Sequence, residues 1–296
     1  MKKENCIGVL LAATAGVFWG SMGIAAEYLM RDFNFAALDL VSLRLLGAGV
    51  MLLAFEALRG QRIFGDFTRD GHWKAISVYG FIMLGVQATF FLAIAASNTA
   101  TAALMVTTLP IFVAGWEALA EKRQLTRNGK ISVGLAVTGV ACIVTRGRLD
   151  TIELSWGGVL WGLASSVFGA AGTLQVREIV RKVSVTIVVG WAMTIGGAIL
   201  CAAQPPALAT ENWTWLAVGL WFYIAAVGTV AAFCCYLKSL EMISASTASL
   251  VSSFEPLSAV VLGVLLMGLT LNAVELCGIA LIFVMVVVIT RPKKSA

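Results

Sequence analysis

Long apolar runs separated by short polar clusters fill this sequence from end to end. Five runs, near 7–28, 37–58, 73–95, 98–119 and 128–146, are followed by five more near 155–176, 184–203, 213–237, 245–268 and 272–290. A bilayer core of about 30 Å takes roughly 20 apolar residues as a helix, so each run is long enough to cross once. The third and fourth runs are parted only by Ser97, Asn98 and Thr99, but together they are too long for a single crossing. The pattern predicts an all-α integral membrane protein with ten transmembrane helices. The opening Met-Lys-Lys-Glu and the apolar stretch behind it look superficially like a secretory signal. No small-x-small cleavage site followed by a soluble domain is evident, so the stretch is read as the first transmembrane helix.

The runs also repeat. At an offset of 150 residues, Gly8-Val9-Leu10 meets Gly158-Val159-Leu160 and Val17-Phe18 meets Val167-Phe168. A stripe of small residues at every fourth position, Gly8, Ala12, Gly16 and Gly20, corresponds to Gly158, Gly162, Ser166 and Ala170. That spacing keeps each stripe on one helix face, where small side chains let backbones approach closely in lipid. At an offset of 146, Ala100-Thr101-Ala102-Ala103-Leu104 meets Ser246-Thr247-Ala248-Ser249-Leu250 and Pro110 meets Pro256. The halves 1–150 and 151–296 therefore read as two five-helix repeats. Five is odd, so equivalent helices cross in opposite directions, giving an inverted-topology repeat of the kind frequent among secondary transporters.

Charge sets the orientation. With the N-terminus inside, 17 of the 21 Lys and Arg residues fall in segments on the cytoplasmic side, and the bias alternates from loop to loop. This places both termini in the cytoplasm, makes the net charge of +5 a topology signal, and removes any need for a nucleic-acid partner. Composition agrees: 59% of residues are hydrophobic, mean hydropathy is +0.91, and only 12% are charged, against roughly 25% in soluble proteins. The six cysteines form no CxxC or metal-spaced pair, and the one histidine, His72, sits in a charged loop. Disulfide scaffolding and zinc chemistry are not expected, and no cofactor is implied. No HExxH, GxSxG, Walker loop or dinucleotide fingerprint occurs, so no enzyme is expected.

A few polar residues interrupt the apolar runs. Glu255 is the one carboxylate deep in a span, close to mid-bilayer, where an ionised carboxylate needs water, a cation or a partner. Pro256 beside it removes a backbone donor, and Ser249, Ser252 and Ser258 lie on or near the same face. Glu255 reads either as a cavity-lining group that binds a cation or exchanges a proton, or as a structural lock bonded to neighbouring backbone. Its counterpart in the first half is Leu109, so any charge chemistry is asymmetric. Gln87 and Tyr79 share roughly one face of the third helix, either lining a cavity or gluing helices together. Trp19 and Trp161 are further cavity candidates, with Tyr223 and Gln175. Trp73, Trp213, Trp215 and Trp156 lie near helix ends and read as interfacial anchors. Arg44 sits early in the second helix, near the outer face. It is expected to snorkel or to pair with Asp32 or Asp39, with a direct hold on a substrate carboxylate as the sharper alternative.

Taken in order, Val17-Phe18-Trp19-Gly20-Ser21, Ser42-Leu43-Arg44-Leu45-Leu46 and the run Ala100–Pro110 leading to Glu121-Lys122 resemble one family. The second half adds Tyr236-Leu237-Lys238-Ser239-Leu240 and Ser246–Leu250 with Glu255-Pro256-Leu257. The sequence resembles the ten-helix EamA-like branch of the drug/metabolite transporter superfamily, as two repeats near 8–146 and 156–290. Gly268-Leu269-Thr270 departs from the Gly-Glu often found there. The resemblance implies a multi-pass carrier of the inner (plasma) membrane for a small metabolite, an amino acid or related solute, often exported, with a central cavity. The substrate-binding candidates are then Glu255, Trp19, Gln87, Tyr79, Ser252 and Trp161. Partners are a small-molecule substrate and the lipid bilayer; the protein is a monomer or a homodimer, and proton coupling is open to it. A non-transporting membrane scaffold or receptor is the alternative, and it would pack its midplane tightly.

Overall fold

A computed structural model describes residues 3–97, 99–119, 127–145, 147, 155–207, 213–267 and 272–290, and every regular element among them is helical. The expectations for Glu121-Lys122, Arg146, Arg148, Gly268-Leu269-Thr270 and the two chain ends lie outside these residues. The first half contains α1 (Lys3–Asp32), α2 (Ala37–Leu58), α3 (Ile63–Thr68), α4 (His72–Ala96), α5 (Thr99–Val106), α6 (Leu109–Leu119) and α7 (Arg127–Thr145). The second contains α8 (Trp156–Val176), α9 (Val185–Ala203), α10 (Trp215–Ala225), α11 (Ala232–Leu240), α12 (Ala245–Val251), α13 (Phe254–Met267) and α14 (Ala273–Thr290). A π-helical turn, Ala226–Ala231, joins α10 to α11. Among the described residues, six stretches are long and apolar enough to cross a membrane: Glu4–Asp32, Ala37–Leu58, Ile63–Ala96, Trp156–Val176, Val185–Ala203 and Trp215–Leu240.

The remaining apolar runs are helical too, but the fourth and the ninth are each broken in two. The breaks fall at equivalent places and share a cause. Proline has no N–H and its ring opposes the carbonyl four residues earlier. For Pro110 that carbonyl belongs to Val106, the last residue of α5; for Pro256 it belongs to Ser252, just past α12. At the second break the Ser252 carbonyl instead accepts the Glu255 N–H at 2.9 Å, a tighter turn than an α-helix makes. Helix starts have local causes as well. Ser155, Thr214 and Ser244 accept the N–H of Gly158, Ala217 and Thr247 with their side-chain oxygens, capping α8, α10 and α12. The segment between the second and third runs carries the unforeseen α3. It is tied to α9 by the Trp191 indole, which donates to the Ile63 carbonyl at 3.0 Å and stacks on Phe67.

Lipid is as apolar as leucine, so apolarity does not tell a helix which side to bury; small and polar residues do. The two small-residue stripes accordingly mark close helix contacts. On α1, a Cβ added to Gly16 would lie 2.8 Å from the Ser252 carbonyl oxygen, and one on Gly20 would fall onto the carbonyl oxygen of Glu255. On α8, a Cβ on Gly162 would strike Met105 and the Ser166 hydroxyl donates to the Met105 carbonyl at 2.8 Å. The first helix of each half thus rests on the broken helix of the other. The same exchange runs through the bundle: α2 packs on α9, α4 on α8, α1 on α11, and α7 on α14. A large buried cluster occupies the middle, and a smaller one, with Val140, Leu250, Leu257, Ile282 and Met285, sits where α7 and α14 meet α12 and α13.

Candidate functional site

Between the two helix breaks lies a cavity, partly open at its mouth, whose walls come from both halves of the chain. Each wall is a helical stripe. On α4, Tyr79, Met83, Gln87 and Phe90 follow the helix period, and on α8 Ser165, Gly169 and Thr173 do the same. Helix α1 supplies Trp19 and Met22, α11 supplies Phe233 and Tyr236, and the breaks supply Val106, Leu109, Ser252 and Glu255. The repeat makes the cavity lopsided. At an offset of 150, the bulky Trp19 and Met22 of α1 correspond to Gly169 and Gly172 of α8, where Leu109, Ile82 and Tyr79 close in instead.

The lining is aromatic and thioether-rich, with scattered hydroxyls. Trp19 meets Phe233 edge-on at 5.1 Å and Tyr236 at 5.3 Å, forming one aromatic wall. The Tyr236 and Thr173 hydroxyls are hydrogen-bonded at 3.0 Å, tying α11 to α8 across the cavity. Glu255 is 8% exposed, and its backbone is fully engaged: the N–H bonds to Ser252, and the carbonyl accepts from Ser258 at 2.8 Å. Its carboxyl has no hydrogen-bond or ion-pair partner among the described residues. The bond from that carboxyl to neighbouring backbone that a lock would make is absent among the described residues.

Five of the six candidates, Glu255, Trp19, Gln87, Tyr79 and Ser252, line this one cavity. Trp161 does not. It sits one turn nearer the start of α8 than Ser165, beyond the cavity's edge, and is 43% exposed. Of the other cavity suggestions, Tyr223 donates to the Ser21 hydroxyl at 2.6 Å and Gln175 donates to the Ala75 carbonyl, both away from the lining. Trp73, Trp156 and Trp215 are exposed near helix ends, whereas Trp213 packs against Phe35 and Trp221. Ser165, Thr173, Phe233 and Tyr236 were not anticipated as lining residues, although their helical spacing was visible in the sequence.

Arg44 departs most from expectation. It does not snorkel and reaches neither Asp32 nor Asp39: Asp32 pairs with Arg31, and Asp39 accepts the Ala207 N–H at 3.1 Å. Arg44 is fully buried, donates to the Gln87 side-chain oxygen and to the Met22 sulfur, and lies 4.3 Å over the Phe91 ring. The reason is its place on α2, two turns in, on the face that packs into the bundle; the acids at the helix end are already engaged.

The two ends of the cavity are pinned differently. The α5–α6 run lines it with Val106 and Leu109 at its middle, and Thr99 and Glu117 lie at opposite ends of that run. At the first, Glu27 accepts the Thr99 N–H at 3.1 Å and the Thr99 hydroxyl donates to the Gly23 carbonyl at 3.2 Å. At the second, the buried Glu117 accepts from the Ser246 hydroxyl and faces the Arg177 guanidinium at 3.8 Å. Glu27 and Arg177 are equivalent under the repeat, so one position carries opposite charges at the two ends. Among the described residues, no group of three or more His, Cys, Asp or Glu could hold a metal ion.

Comparison with known proteins places this geometry. The sequence matches the EamA-like transporter family twice, over residues 6–145 and 156–291. It is 32% identical over 296 residues to the uncharacterized inner membrane transporter YicL of Salmonella typhimurium, covering 97% of this chain and 95% of that protein. It is 27% identical over 289 residues to the uncharacterized inner membrane transporter YedA of Escherichia coli, covering 94% and 88%. One solved crystal structure superposes with a TM-score of 0.75 over 96% of each chain at 19% identity, which is a likeness of fold.

Proposed function

Since this chain belongs to the EamA-like transporter family, within the drug/metabolite transporter superfamily, we propose that it is a secondary transporter exporting a small metabolite, an amino acid or related solute, across the inner membrane. In this reading ten crossings form two inverted repeats, 1–150 and 151–296, which rock against one another around the central cavity. The two differently pinned ends are the alternating gates. The observation that carries the reading is the partnerless Glu255 carboxyl on the wall of a cavity between two proline-broken helices. Discontinuous helices facing each other near mid-membrane are a recurrent way to build a carrier's binding site. A scaffold or receptor would gain nothing from leaving a carboxyl unbonded on a cavity wall.

Glu255 binds a cationic group of the solute, exchanges a proton during the cycle, or does both in turn. The aromatic wall beside it suits the first role, because aromatic faces attract cations. Glu255→Gln keeps size and hydrogen bonding but removes ionisation. In proteoliposomes loaded with a metabolite mixture, wild-type protein should release selected solutes at a rate that varies with pH. The variant, at equal reconstituted amount, should lose that variation and most of the flux. Wild-type flux with wild-type pH dependence in the variant would reduce Glu255 to a structural residue.

A further inference from the structure

Arg44 is the one charged group near the cavity that the transport reading does not use. A guanidinium offers five N–H donors, and burial of such a charge is costly unless anions or several acceptors surround it. Here it is fully buried, yet only one strong acceptor reaches it, the Gln87 side-chain oxygen. Its second partner is the Met22 sulfur at 2.7 Å, a weak acceptor, and its Nε has no partner. No carboxylate pairs with it among the described residues. The Phe91 face offers partial compensation.

Both side chains that touch those donors, Gln87 and Met22, are themselves cavity walls. A single layer of side chain therefore separates an under-satisfied cation from the cavity. The π-helical turn lies against the same spot: the Thr229 hydroxyl bonds the Ile224 carbonyl five residues back and approaches the Met22 sulfur at 4.0 Å. π-turns inside α-helices recur at functional sites and let a helix shift locally.

We propose that Arg44 is the anion-recognition group of the cavity, with Gln87 as its placeholder. A solute carboxylate displaces the Gln87 oxygen and takes the guanidinium by a forked pair of charge-assisted hydrogen bonds. The freed Gln87 amide then turns to donate to the same solute. Resting on the transport reading, this adds a second pole to the site. Glu255 receives an ammonium, Arg44 receives a carboxylate, and the aromatic wall between them takes an apolar body. A neutral amide of the same solute would be discriminated against, since it cannot supply the charge that Arg44 lacks.

The test uses intact purified protein and matched probes: apolar amino acids, their carboxamides and their decarboxylated amines, with binding read by thermal stabilisation. Wild-type protein should prefer the carboxylates over the amides on the order of tenfold to a hundredfold, the range of a charge-assisted hydrogen bond. Gln87→Glu places a permanent carboxylate on Arg44 at unchanged volume. It should fold at least as stably as wild type, and its preference for carboxylate over amide should vanish. Arg44→Gln should lose the same preference. A Gln87→Glu variant that still prefers carboxylates, or a wild type that binds amides equally well, would make Arg44 a structural residue while leaving a carrier of amines standing. No binding by any probe in the wild type would count against both the subsite and the transport reading.

Discussion

Gly20 is the tightest point of the α1 contact. A methyl there would fall onto the Glu255 carbonyl oxygen and the Ser258 hydroxyl, and backbone cannot move aside as a flexible side chain can. Gly20→Leu should therefore lower thermal stability in detergent, by several kcal/mol on the scale of overpacked cores, and should abolish transport. Gly219 has nothing within 4 Å of its would-be Cβ, so Gly219→Leu is the control and should be silent. Equal melting curves for the two variants would mean that the stripe on α1 faces lipid. At this scale the sequence was legible where a residue stood out by polarity and depth: Glu255, Gln87, Tyr79, Ser252 and Trp19 all reach one cavity. Arg44 was misjudged because its acids were sought nearby in sequence. Its depth carried the better signal. Arg44 lies seven residues from the start of α2, and Gln87 nine from the end of α4, which face the same side of the bundle. Those offsets are about 11 and 14 Å, a match in level between adjacent helices.

At the scale of elements, the informative feature is the pair of broken helices. Proline in a helix interior costs about 3 kcal/mol, which a membrane protein bears where an unwound turn is useful. Pro256→Ala restores the missing N–H and permits the Ser252 carbonyl its ordinary partner. The variant should be more heat-stable than wild type, by on the order of 1 kcal/mol or more, and slower in transport, because the Glu255 turn can no longer hold its tightened geometry. A faster or unchanged carrier would mean that the break does nothing for the cycle. The sequence showed the two prolines but not the breaks themselves, since an apolar run reads the same whether its helix is continuous or split. For the same reason α3 went unseen: six residues carry too little periodicity, and its place is held by Trp191 from the other half.

For the molecule as a whole, the order of the apolar runs and the alternation of basic loops were enough to suggest the architecture, because lipid enforces helical crossings and charge orients them. Which helix neighbours which was not legible, because nearly uniform apolar surfaces leave that choice to a few small residues. The proposed orientation has a direct check. Reporter fusions at Arg69, Arg146, Arg181 and Ala296 should read in, out, in and in; an external reading at Ala296 would remove the inversion and the helix count with it.

The exchange of partners between halves reaches beyond the finished fold, into how the chain is made. Helices α1, α2, α4 and α7 find their main neighbours in α11 and α13, α9, α8 and α14 respectively, roughly 80 to 250 residues further along the chain. A ribosome adds about 5–20 residues per second, so the first half leaves the insertion machinery on the order of ten seconds before its partners exist. During that interval its glycine stripe stands open to lipid or to whatever else occupies the membrane. The nascent first half is therefore the stage at which this protein is most exposed to quality-control proteases, and the arrival of α13, which covers the stripe, is the event that ends the exposure.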